Sequence, residues 1–217
     1  MGVTLALVEK PKGEKGAAAQ PRDDAGASEG EWSTRHSVLR SAQRAAALVN
    51  VLSADGPDAP GVASVTAVLR EYGEQGPLDV TAQDVADMRT VSDRLRDVFA
   101  APGVGAAAAR LNKLLAEGCG PVRLTAHGGG TPWHIHLDGD DSAPWAEWFL
   151  ASSCMALAVL LWDRQRAPGG LCASPRCDSV YITGGSGTAR RYCSPRCATR
   201  ERVASHRRAK EGRDTAG

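Results

Sequence analysis

The sequence predicts an α+β fold. A mostly helical N-terminal domain carries one β-hairpin, and a small cysteine-rich module follows it and ends in a basic helix. Three observations predict this. Apolar residues recur at helical spacing from about residue 37 to 118 and again from about 143 to 166. Between those stretches the period drops to two, the mark of paired strands. Four of the six cysteines fall between Cys172 and Cys197. A length of 217 residues leaves room for one ordinary domain and one appendage.

Each element has a local reason. Residues 10–33 are rich in Lys, Gly, Ala and acids without an apolar period, so 1–33 reads as a disordered arm. Val38, Ala42, Ala45, Leu48, Val49 and Leu52 mark a first helix, stopped by Asp55-Gly56-Pro57. A second helix runs from about 60 to 72, with Pro60 in its first turn and Gly73 at its C-cap. Thr81-Ala82-Gln83-Asp84 resembles a capping box and opens a third helix, whose stripe is Val85, Met88, Val91, Leu95 and Val98. A fourth, Ala-rich helix covers about 104–117 and ends at Gly118.

Val122, Leu124 and Ala126 then alternate with Arg123 and Thr125. Past Gly128-Gly129-Gly130, Trp133, Ile135 and Leu137 alternate with His134 and His136. The pattern predicts a hairpin with one apolar face for the core. Ser142 and Pro144 start a long helix over about 143–166, apolar nearly all round and so expected at the centre of the core. Residues 37–166 therefore read as one α+β domain, and Pro168-Gly169-Gly170 as a hinge.

Charge and motif content narrow the function. Residues 1–163 hold 14 Lys and Arg against 21 Asp and Glu, whereas residues 164–217 hold 12 against 4. An acidic body with a basic end points to a polyanion partner. The longest apolar run, Trp148–Trp162, is short for a membrane span and includes Ser152 and Ser153. No signal peptide is expected from Val3–Val8, so a cytoplasmic, reducing setting follows, where cysteines read as metal ligands. The abundance of Ala, Gly and Arg fits a GC-rich bacterial genome. No nucleophile elbow, H-E-x-x-H or phosphate loop occurs, and an enzyme is not expected.

Cys172, Cys177, Cys193 and Cys197 have the spacing C-x4-C-x15-C-x3-C within residues 171–211. Two close pairs with this separation surround one tetrahedral ion. Ser174-Pro175-Arg176-Cys177 is echoed by Ser194-Pro195-Arg196-Cys197, so each second cysteine follows an induced bend. Four thiolates favour one structural Zn2+ over an iron–sulfur cluster or four unrelated thiols. The module has few apolar residues of its own, and a metal supplies what its core does not. Cys119 and Cys154 lie outside the spacing.

Downstream, Arg190, Arg191, Arg196, Arg200, Arg202, His206, Arg207, Arg208, Lys210 and Arg213 are interrupted by only Glu201 and Glu211. A cationic helix rooted at a zinc site fits a groove of double-stranded DNA, with Arg and Lys on phosphates and one or two Arg on guanine edges. The first nine of these residues are the candidate DNA contacts. Two other readings stand beside this one: a solvated cationic tail, and a treble-clef-like finger that holds a protein partner rather than DNA.

Residues Leu171–Lys210 resemble the CGNR zinc finger of bacterial transcription regulators, through the cysteine pairs, Arg190-Arg191-Tyr192-Cys193-Ser194 and the basic helix with His206-Arg207. The signature tetrapeptide Cys-Gly-Asn-Arg is Cys197-Ala198-Thr199-Arg200 here, which keeps the metal ligand and the Arg but not the central pair. The preceding domain resembles the ABATE domain, through Val80–Ala101, the Ala109–Leu115 run and Pro132-Trp133-His134-Ile135-His136-Leu137. The resemblance implies a transcription regulator whose N-terminal domain senses an effector or dimerises.

His134 and His136 share a strand face, with His127 across the glycine turn. They read either as solvent-facing residues or as a metal or anion site. Trp133, Trp145 and Trp148 read either as core or, with His134 and His136, as a pocket for a small-molecule effector. A homodimer is expected because one finger makes few DNA contacts, and no membrane is expected.

Overall fold

The first helix of the computed structural model, α1 (Thr34–Leu52), buries Ala42, Ala45, Leu48, Val49 and Leu52 along one stripe, as its spacing predicts. The structure describes residues 34–54, 61–74, 77–184 and 190–214. The expected arm 1–33, the Asp55-Gly56-Pro57 stop and Pro60 lie outside the described residues. α2 (Val62–Glu71) closes with the Gly73 N–H donating to the Arg70 carbonyl at 3.1 Å. α3 (Ala82–Phe99) has the predicted capping box. The Asp84 N–H donates to Thr81 Oγ1 at 3.1 Å, and the Thr81 N–H donates to Asp84 Oδ2 at 2.8 Å. α4 spans Val104–Gly118.

The long helix, α5 (Trp145–Arg164), is the hub. It packs on α1, α3 and α4 and buries Phe149, Leu150, Cys154, Leu157 and Leu160. Each large apolar side chain withdrawn from water contributes about 1.5–3 kcal/mol, so this helix and α3, which buries Val85, Met88, Val91, Leu95, Val98 and Phe99, supply much of the core's energy. Gln165, at φ 52, closes it with an N–H bond to the Leu161 carbonyl of 2.8 Å. By length and composition α5 is also long and apolar enough to cross a bilayer, more so than the Trp148–Trp162 run suggests. Here the fold uses it as a core helix.

Two small antiparallel sheets complete the fold. β1 (Arg123–Thr125) pairs with β2 (His134–His136), setting Leu124 opposite Ile135. Most of the face predicted for the core is turned outward instead, although Leu137 is buried and Ala126 half-buried. Val122, Leu124, Trp133 and Ile135 are exposed, Leu124 at 64% and Trp133 at 69%. Thr125 and Asp138 are buried, while Arg123, His134 and His136 are half-buried. A period of two defines two faces but not which one is covered. Here the polar face is covered because its groups satisfy one another. Arg123 donates to Asp138 Oδ1 at 2.6 Å and to Asp141 Oδ1 at 2.7 Å.

β3 (Gly169–Leu171) pairs with β4 (Val180–Ile182). The expected hinge at 168–170 is therefore mostly strand. A Cβ on Gly169 would lie 2.2 Å from the Tyr181 carbonyl oxygen and 2.6 Å from Phe99 Cδ1, so only glycine permits this approach. Val180 and Ile182 belong to the same apolar cluster as α1, α3 and α5. Asn50 of α1 clamps the strand through its amide. Asn50 Nδ2 donates to the Val180 carbonyl at 3.0 Å, and the Val180 N–H donates to Asn50 Oδ1 at 2.7 Å. The last element, α6 (Pro195–Asp214), starts at the second Ser-Pro turn.

Asn50→Ala removes both bonds and strands a backbone N–H and C=O. The expected loss is about 1–3 kcal/mol of unfolding free energy, read as a lower urea midpoint with unchanged m-value.

Candidate metal centre and basic helix

The two Ser-Pro turns and the β3–β4 hairpin bring the four predicted sulfurs together. The Sγ atoms of Cys172, Cys177, Cys193 and Cys197 all lie within 4.8 Å of one another. Cys193 Sγ is 3.6 Å from both Cys177 Sγ and Cys197 Sγ. A zinc ion bound at about 2.3 Å by four sulfurs sets tetrahedral edges of about 3.8 Å, so the donor set fits it closely. The first knuckle is shaped by the Cys177 N–H donating to the Ser174 carbonyl at 2.9 Å, the second by the Cys197 N–H donating to Ser194 Oγ at 3.3 Å.

Hydrogen-bond donors approach two of the sulfurs. The Cys193 N–H points at Cys172 Sγ from 3.4 Å, and Arg200 Nη2 reaches Cys197 Sγ at 3.6 Å. Hydrogen bonding from Ser179, whose hydroxyl is 3.4 Å away, pulls the Cys177 thiol down to about 6. Burial and the neighbouring sulfurs push Cys193 up to about 12. Packed this tightly, four sulfurs ionise together only around a cation, and a divalent ion supplies it. Cys119 and Cys154 stand apart; a hydrogen bond from Cys119, then burial, pushes the Cys154 thiol up.

The candidate DNA contacts divide into two groups. Arg200 folds back onto the metal knuckle: its Nη2 donates to Ser174 Oγ at 2.6 Å, and Ser174 in turn donates to Glu201 Oε1 at 2.6 Å. Arg190 braces the loop before Cys193, donating to the Tyr192 carbonyl at 2.7 Å and to the Cys193 carbonyl, with its guanidinium 5.2 Å from the Tyr181 ring centroid. Arg191 lies against Tyr192 at 5.8 Å. These three are exposed nonetheless, as are Arg196, Arg202, His206, Arg207, Arg208 and Lys210 along α6. At 3.6 residues per turn, Arg196, Arg200, Arg207 and Lys210 form one stripe. Sequence reasoning does not find Ser174, Ser179 or Glu201. The one hint is the repeated Ser of the two Ser-Pro-Arg-Cys segments.

A four-sulfur zinc finger is the class this site defines. A sequence model of the CGNR zinc finger family matches residues 170–210, the span that contains all four cysteines and most of α6. Among the curated proteins no sequence matches the chain.

Away from the finger, a cavity of about 730 Å3 opens between the hairpin, α1 and α5. It brings His134, His136, Trp145 and Trp148 together, whereas Trp133 is exposed and does not line it. The Trp145 and Trp148 rings meet edge to face with centroids 5.3 Å apart. The Arg44 guanidinium lies 4.3 Å from the Trp148 ring and pairs with Glu74. Burial lowers the Arg44 pKa, with Glu74 opposing that shift.

Two variants test the finger's geometry. In cobalt-substituted protein, Cys193→Ser is expected to abolish the four-thiolate charge-transfer absorption. Arg200→Ala, which leaves all four ligands in place, is expected to weaken metal affinity by about 10–100-fold in a competition titration.

Proposed function

We propose that the chain is a DNA-binding transcription regulator whose finger holds one structural Zn2+ and presents α6 to double-stranded DNA. The observation that carries this reading is the division of labour on α6. Arg200 is engaged with the metal knuckle, while Arg196, Arg202, Arg207, Arg208 and Lys210 are exposed on a helix rooted there. A helix of 20 residues is about 30 Å long and fits a major groove. The cavity of the helical domain gives a small-molecule effector a place to act. The same reading is of a non-enzymatic protein of the cytoplasm, found at the nucleoid when bound to DNA.

A homodimer belongs to the same reading, since a single finger makes too few contacts for an operator. The outward apolar stripe of Val122, Leu124, Trp133 and Ile135 supports a protein contact as well. That stripe also favours the alternative, a finger protein that binds protein and not DNA.

Fluorescence anisotropy with duplex DNA over a salt series separates the two. Wild-type affinity is expected to fall linearly in log–log form. The double variant Arg207→Ala/Lys210→Ala is expected to flatten the slope by about 0.9 for each phosphate no longer neutralised. Absence of any duplex binding by the zinc-loaded protein would favour the protein-binding alternative.

A further inference from the structure

Three imidazoles converge on the covered face of the β1–β2 hairpin. His134 and His136 alternate on β2 and so share a face. His127 joins them from the connecting loop, where its φ is 46, followed by Gly128 at 68 and Gly129 at 94. A non-glycine residue held in the left-handed region costs energy and tends to occur where function requires it. His134 Nε2 lies 3.2 Å from His127 Nε2 and 3.0 Å from His136 Nε2. The three ring centroids are 4.8–5.0 Å apart.

The other nitrogen of each ring decides what this convergence means. His134 Nδ1 faces the Pro132 carbonyl at 2.7 Å. His136 Nδ1 faces the Asp138 carboxylate oxygens at 2.8 and 3.0 Å. His127 Nδ1 faces Asp141 Oδ2 at 3.1 Å. Arg123 Nη2 is 3.4 Å from His136 Nδ1, but it is committed to Asp138 Oδ1 at 2.6 Å. Carbonyl and carboxylate oxygens only accept, so each neutral ring carries its hydrogen on Nδ1. All three Nε2 atoms then direct lone pairs at one another with no hydrogen between them. That is repulsive unless a cation sits among them.

The spacing suits a metal. A tetrahedral ion with bonds of about 2.0–2.1 Å to nitrogen sets edges of about 3.3 Å, close to the two separations observed. A carbonyl or carboxylate on the second nitrogen is also how ligating histidines are oriented. Covering this polar face leaves Leu124, Trp133 and Ile135 in water, where a purely structural hairpin would have buried them.

We propose that His127, His134 and His136 form a second metal site, which takes one divalent transition ion of the Zn2+ type through three Nε2 atoms. All three residues line the 730 Å3 cavity, so the fourth coordination position opens into it and takes water or a small oxygen or nitrogen ligand. This site is separate from the four-sulfur finger and does not rest on the DNA-binding reading.

The test is metal stoichiometry of the full-length protein equilibrated with buffered zinc. Two zinc ions per chain are expected for the wild type and one for His134→Gln/His136→Gln. Retention of the thiolate-to-cobalt absorption in the cobalt-loaded variant shows that the finger still holds its ion. Asp141→Asn, at an exposed loop position, guards against misfolding of the double variant. It is expected to keep both ions but bind the second about 10–100-fold more weakly. One ion per chain in the wild type, with the thiolate absorption intact, would overturn the site and leave a shared proton as the occupant of the three rings. So would two ions in both wild type and double variant, or unchanged affinity in Asp141→Asn.

Discussion

The seating of β4 on the helical core is the constraint from which the rest of the C-terminal half follows. A finger of this size has almost no apolar interior. Its hairpin gains one by adding Val180 and Ile182 to the cluster built by α1, α3 and α5. Asn50 fixes the register from outside by pairing with both backbone groups of Val180. Gly169 lets β3 approach Phe99 closely enough for the sheet to lie flat against the core. The cysteine knuckles thus grow from a strand that the helical domain already holds in place, which leaves only the outer part of the module for a bound ion to organise.

That division explains the use of charge on α6. The end of the helix next to the sulfurs serves structure, with Arg200, Ser174 and Glu201 joined in one hydrogen-bonded chain beside Cys197. From Arg202 to Lys210 the helix is almost wholly exposed, and its cations are turned to solvent. A helix with so little apolar content depends on its root for stability. On the DNA-binding reading proposed above, the acidic body and basic end would be two parts of one electrostatic design.

Much of this is legible in the sequence. The capping box at Thr81–Asp84, the apolar stripe of α3, the central position of α5 and the four-cysteine cluster are local patterns, and local chemistry decides them. What is not legible depends on distant partners. The glycine pair at 169–170 looks like a hinge because the strand it pairs with lies about ten residues on and the phenylalanine it touches lies in α3. The hairpin's orientation escapes the sequence because alternation names two faces and apolar content normally selects the covered one. Here Arg123, Asp138 and Asp141 satisfy the polar face internally and reverse that preference. The bond from Arg200 to Ser174 is not legible because that serine lies in the other knuckle. The histidine cluster is visible as three residues, but its meaning lies in the Nδ1 partners, which only the folded loop supplies.

Binding of the full-length protein to duplex DNA with zinc bound, after chelation, and after zinc is restored tests the central claim most directly. The account predicts salt-sensitive binding that disappears with the metal and returns with it, because the ion holds the root of the cationic helix. Equal binding by the metal-free chain would contradict it, since the cations would then act without the finger that presents them.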